Sequence, residues 1–303
     1  MQESMYKYMK VGIIHFMAFP ETMGGVGPIY QTIEKIVGDD YFNAIEITEI
    51  KDEKERERVR KLLETSHMAV GYGAQPSVLM GKLNPNSPNK NERRKALDVL
   101  KEQADQAAYM GAGRMAFLSG PDPGDADRGR QIELLAQTTL ELCSYAKSNG
   151  SLGIAIEVFD RKIDKKSLIG PVGDVKKLCE LVTREIDNFG VMVDLSHLPL
   201  IGETPQQAIL PIKDYFVHAH IGNGVLKKGH EAYGDTHPRF GIQGGENDVP
   251  QLVEFLRVLM DVGYLNTKNP PFLSFEVRPR PGESAEAVIA NSKRVLNEAW
   301  ARL

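Results

Sequence analysis

Four short apolar runs in the second half of the chain are each interrupted, near their C-terminal ends, by one side chain able to bind a metal. They are Glu157 in IAIEVFD, Asp194 in VMVDLSH, His220 in VHAHIGN and Glu276 in LSFEVRP. An ionised carboxylate in apolar surroundings costs free energy unless it is paired, so each glutamate requires a partner. A helix N-terminus or an arginine could satisfy any one of these groups. Four in consecutive runs point instead to a shared partner, and a divalent cation neutralises carboxylates while accepting an imidazole nitrogen. Oxygen-rich ligation with one imidazole suits Mn2+, Mg2+, Co2+ or Zn2+; manganese is taken first, although nothing in the sequence chooses among them.

Such residues must be brought together by the elements that carry them. Apolar runs recur at residues 11–18, 44–48, 68–74, 114–119, 153–159, 190–195, 215–221 and 272–277, and most are followed by a segment of helical spacing. That alternation predicts parallel strands with helical crossovers. Eight runs predict a closed (β/α)8 TIM barrel, α/β in class, spanning residues 1–303 as one domain. In such a barrel the C-terminal strand ends surround one mouth, so Glu157, Asp194, His220 and Glu276 converge although far apart in sequence. His15, Glu46 and Gln75, in or near the first three strand ends, could also line the pocket. His67 and His230 read as structural or exposed.

Composition narrows the function classes. The chain has 42% hydrophobic and 26% charged residues, as a soluble globular protein does, and a formal charge of −4 argues against a nucleic-acid partner. The stretch KDEKERERVRKLLE mixes both signs around Val59, Leu62 and Leu63, which predicts a solvated helix rather than a basic patch. Cys143 and Cys179 lack CxxC spacing and read as core residues. No segment has the length of a signal peptide or the ~20 apolar residues of a membrane span, so a cytoplasmic protein is expected.

The motifs IEVFDR, DLSH, HAHIGN and SFEVRP together resemble the xylose isomerase-like barrel superfamily of sugar isomerases and epimerases, which also holds the endonuclease IV-type (AP endonuclease family 2) enzymes. The resemblance covers nearly the whole chain. It implies one metal held by Glu157, Asp194, His220 and Glu276, with His220 rather than His218 as the strand-seven ligand. His218 is then a substrate contact or a buried, hydrogen-bonded histidine. The resemblance further implies that Glu157 and Glu276 are the acid–base pair of a reaction passing through an enediolate, and that His197 hydrogen-bonds the substrate. Arg278, two residues beyond Glu276, could hold a substrate group or form a salt bridge at the rim. The implied substrate is a small carbohydrate: a sugar, keto-sugar, inositol derivative or sugar acid. Relatives are often dimers or tetramers, so a homo-oligomer is expected.

Two features depart from the simplest family pattern. The loop GDTHPRFGIQGGEND carries Asp235 and His237, which with His197 match a further metal site of the endonuclease IV-type members; alternatively they order a loop over the substrate. The histidines those nucleases need on strands three and four are missing from VGYGAQ and RMAFLSG, which argues against phosphodiester hydrolysis. The stretch DRKIDKK also lacks the glutamate that ketose 3-epimerases of the family carry there, and the segment 224–237 suggests a substrate of different size or a distinctive lid. A lyase cleaving 3-keto C-glycosides by β-elimination is the alternative enzyme, since it begins with the same proton abstraction.

Overall fold

The computed structural model describes Met1 and residues 3–303. Its strands are β1 (Lys10–Ile13), β2 (Ala44–Ile47), β3 (Ala69–Gly73), β4 (Arg114–Leu118), β5 (Gly153–Glu157), β6 (Phe189–Asp194), β7 (Phe216–Gly222) and β8 (Phe272–Glu276). They form one parallel sheet in the order β1-β8-β7-β6-β5-β4-β3-β2. Between β1 and β2 the ring is completed by a bridge from Ile14 to Glu46 and by Asn43 N–H donating to Val11 O at 3.1 Å. This is the expected TIM barrel.

The helices pack outside, each burying one stripe. Glu53–Thr65 starts on Asp52, whose side chain accepts from Glu55 N–H, and buries Val59 and Leu63 while its charges face solvent. Val249–Asp261 starts on a capping box between Asp248 and Gln251. Cys143 and Cys179 are free and buried among the helices, where burial pushes both thiols up to about 12. No helix among the described residues is long and apolar enough to cross a membrane.

Two details fix what the barrel presents at its mouth. The first run, expected as strand over 11–18, is strand only to Ile13, and His15–Ala18 is a short helix whose Ala18 N–H bonds Ile14 O. A short apolar run, here interrupted only by His15, does not distinguish a buried strand from a buried helix, which explains the difference. In β7 the register slips against β6: Val191 pairs with Phe216 but Met192 pairs with His218, leaving Val217 as a bulge. Above this bulge His218 and His220 both point inward, and the barrel interior is layered. Ala116, Ala155 and Met192 form an apolar floor, and Glu157, Asp194, His220 and Glu276 lie at the mouth above it. Gly71 makes room for a further acid, since a Cβ there would meet Glu46 Cγ at 2.9 Å.

Candidate metal centre and active site

Glu157 ends β5, Asp194 ends β6, His220 lies in β7 and Glu276 ends β8. All four are buried, and one ligand atom from each lies within 4.8 Å of the others. Glu157 Oε1 and Asp194 Oδ2 are buried without a hydrogen-bond partner. Two orphaned carboxylate oxygens facing an imidazole and a third carboxylate are a donor set that fits a divalent cation.

The surrounding residues orient these groups. Gln75 Nε2 donates to Glu157 Oε2 at 2.7 Å, leaving Oε1 as the free oxygen. His220 Nε2 lies 3.1 Å from Glu46, while its Nδ1 faces Glu276 Oε2 at 2.9 Å and Glu157 Oε1 at 3.8 Å. Donation from Nε2 to Glu46 leaves the Nδ1 lone pair for a cation, the carboxylate–histidine arrangement that fixes a ligand's tautomer. His218 Nε2 bonds the same Glu46 oxygen at 2.8 Å, so His218 is a buried, hydrogen-bonded histidine one layer below the mouth. Burial alone would raise the Glu46 pKa, but the charges of and hydrogen bonds from His218 and His220 outweigh it and hold the carboxyl well below its ordinary range. For Asp194 burial dominates, and the charge of Glu276 adds to it; its carboxyl is raised to about 6.

A second cluster adjoins the first. His197 Nδ1 bonds Val158 O at 2.8 Å, turning Nε2 to within 3.2 Å of Asp235 Oδ1. His237 Nε2 lies 3.0 Å from the same oxygen and 3.3 Å from Glu276 Oε1, while its Nδ1 is 3.8 Å from Asp194 Oδ2. Asp194, His197 and His237 thus form a further group with metal-holding spacing. Burial opposes charge on His237, but the carboxylates, Asp235 foremost, outweigh it and raise its pKa to about 9. His237 is also held at φ 50°, a left-handed conformation costly for a residue with a Cβ, with its carbonyl accepting from Arg278 N–H at 2.7 Å.

The segment 224–237 is ordered rather than loose: Gly234 N–H bonds Val225 O, and Asp235 N–H bonds Asp164 Oδ2 at 2.8 Å. Sequence reasoning missed Lys165, whose ammonium donates to Asp235 Oδ2 at 2.7 Å. It lies in DRKIDKK, where alternating charges disguised it as surface. That reading also gave Glu46 and Gln75 only a general place near the pocket; their bonds to His220 and Glu157 depend on barrel closure. His15 is turned away, with Nε2 2.7 Å from Thr32 Oγ1. Of the other histidines, His67 is exposed and His230 accepts from Ala232 N–H. A cavity of about 190 Å3 opens over the cluster, and its polar lining groups are Glu46, Gln75, Glu157, Lys165, His220, Asp235, His237, Glu276 and Arg278. His197 and His218 lie behind these lining groups.

Known structures share this architecture. The chain aligns over 97% of its length with 99% of a D-tagatose 3-epimerase-like protein, at 17% identity and a TM-score of 0.71. It aligns over 96% with 98% of the IOLI protein solved with a binding zinc atom, at 14% identity and a TM-score of 0.72. It aligns over 95% with 99% of the 3-keto-D-glucoside 4-epimerase YcjR from E. coli, at 16% identity and a TM-score of 0.66. No curated protein matches the chain by sequence. At these identities the structural likeness establishes the fold alone. The family model described as the xylose isomerase-like TIM barrel matches residues 30–299, nearly the whole barrel, and the chain belongs to that family.

Proposed function

We propose that the protein is a divalent-metal-dependent isomerase or epimerase that acts on a small carbohydrate by moving a proton at a carbon next to a carbonyl. The observation that carries this reading is the pair of orphaned oxygens, Glu157 Oε1 and Asp194 Oδ2, buried within one cluster with His220 and Glu276. The structural neighbours support the substrate class, since those described above include proteins named as a ketose-epimerase relative and as a keto-glucoside epimerase.

Glu157, Asp194, His220 and Glu276 would hold the cation. Once bound, it would supply a positive charge that stabilises the negative charge developing on a substrate oxygen. The chain's own groups do the rest. Gln75 fixes one oxygen of Glu157 so that the other is left free within the cluster, and His220 and His237 flank the two oxygens of Glu276. Two carboxylates reaching the cavity from different strands can serve as base and acid on one carbon, the base removing the proton and the other returning it. Arg278 at the rim is placed to hold a hydroxyl or acidic group of the substrate. The β-elimination reading uses the same first step and is separated from isomerisation by whether the product keeps every substrate carbon.

The test is metal analysis of the purified protein supplied with excess Mn2+, Mg2+, Co2+ or Zn2+, beside Glu157→Gln and Glu276→Gln. Near-stoichiometric metal in the parent and a loss in both variants is the expected result, followed by deuterium exchange at carbon when keto-sugars are incubated in heavy water. A parent protein that takes up no divalent metal would overturn the proposal.

A further inference from the structure

The cavity has a second wall, which the metal chemistry does not use. Its apolar lining is Ile14, Phe16, Met17, Met23, Leu79 and Met80. Ile14, Phe16 and Met17, with Met23 against them, form an apolar cluster separate from the main core. Leu79 is 43% and Met80 55% exposed, both on the short helix Gln75–Met80 at the cavity rim. An apolar patch left open beside a polar site marks a surface that a ligand covers. The helix also links the two walls, because Gln75 and Leu79 are four residues apart and share a face. Gln75 reaches Glu157 while Leu79 stands at the rim.

The wall offers few polar groups. Glu46 is engaged by both strand-seven histidines, and Gln75 Nε2 is committed to Glu157. Gln75 Oε1 is buried and without a partner, and can accept from one hydroxyl. A free sugar turned toward this wall would leave its remaining hydroxyls without partners. Gly73 lets the two walls meet: a Cβ there would clash with Gln75 Oε1 at 2.8 Å and Phe16 Cζ at 2.9 Å, so its absence is what allows both side chains to pack at the cavity. The cavity of about 190 Å3 is smaller than the ~300–1,000 Å3 that encloses a drug-sized ligand, so part of a larger substrate would lie outside it, against the rim.

We infer that the substrate is a glycoside rather than a free sugar: its sugar ring faces Glu157, His220 and Glu276, and its apolar aglycone, aryl or alkyl, lies along Phe16, Met17, Met23, Leu79 and Met80. This rests on the metal-dependent carbohydrate function proposed above, and it names the class of substrate that function takes. Two tests separate the ideas. Metal content is measured first on the Mn2+-loaded protein. Binding of the 3-keto derivatives of methyl glucoside and phenyl glucoside is then compared by calorimetry on that protein and on the Leu79→Ser/Met80→Ser double variant, whose substituted positions are exposed and whose metal content reports an intact barrel. The expected result is full metal, at least tenfold tighter binding of the phenyl compound, and a phenyl-to-methyl ratio falling toward one in the variant. Full metal with equal binding of both compounds, or with neither bound, overturns the glycoside inference and leaves the metal function standing. An equal phenyl preference in parent and variant overturns the assigned wall. Absence of metal overturns both.

Discussion

The two halves of the barrel mouth are built from the same strand–helix unit and finish it differently. Strands β5, β6 and β8 end in Glu157, Asp194 and Glu276, and β7 carries His220 near its end, so these groups arrive directly from the rigid sheet. After β1 and β3, by contrast, the chain turns into the short helices His15–Ala18 and Gln75–Met80, which present mostly apolar side chains to the same cavity. Groups that must hold a fixed geometry are carried by strands, where a backbone shift is costly. Groups that need only exclude water and offer area are carried by short helices at the rim. Under the proposed function, reaction and specificity would be alterable separately in this barrel, one half at a time.

Breaking the ligand half should have the largest effect. Glu157→Gln keeps the shape but removes a charge from a cluster that needs it, and Asp194→Asn does the same. Either change is expected to lower metal occupancy, and Glu157→Gln to cut turnover by about 10²–10⁴-fold, the usual contribution of a positioned acid or base. Metal analysis with a deuterium-exchange assay checks both. Turnover within a few-fold of the parent would mean that the cluster is structural.

The division between halves is not absolute, and Glu46 shows where it fails. It belongs to β2, on the apolar side, yet it crosses the barrel to bond His220 and His218. Glu46→Gln is expected to weaken metal binding about 10–100-fold, as loss of a group that orients a ligand does. Titration with a competing chelator measures this. Unchanged affinity would show that His220 needs no support from β2, and the two halves would then be energetically independent. Lys165→Met gives a smaller, sharper test. Its ammonium holds Asp235 Oδ2, so its loss should disturb the cluster of Asp235, His197 and His237 more than the four ligands. A several-fold rise in KM with near-normal metal content is expected, and a loss of metal equal to that of Glu157→Gln would assign Asp235 to the metal site itself.

This contrast also explains what was legible in the sequence. A glutamate or aspartate in an apolar run is conspicuous, because burying it has a cost that only function or pairing repays, and so the ligand half could be read residue by residue. Phe16, Met17, Leu79 and Met80 carry no such mark: an apolar side chain at a barrel mouth looks the same in sequence as one in the core. The strand period was legible as far as each run was polar-bounded. It failed at 11–18, where a stretch that is apolar apart from His15 hid the turn from strand to helix after Ile13. The contacts of Glu46, Gln75 and Lys165 were illegible for a different reason, since they join segments 82, 172 or 70 residues apart and exist only once the ring is closed.

His15 supplies the mildest test of the comparison, since it belongs to the apolar half but faces the helix Ile29–Val37 rather than the cavity. Burial pushes its pKa down to about 3, against about 6.5 for an unfolded histidine. The folded chain therefore stays neutral at this position while the unfolded chain takes up a proton. Its contribution to stability is complete above pH 6.5 and is lost as the pH falls toward 3, to a limit on the order of 5 kcal/mol. His15→Gln can keep a bond to Thr32 and cannot be protonated, so its stability curve should be flatter across that window while its activity at neutral pH stays within a few-fold of the parent. Denaturant unfolding at a series of pH values reads the first effect. A large loss of activity with an unchanged pH–stability curve would place His15 at the active site, and the apolar half would then hold a reacting group of its own.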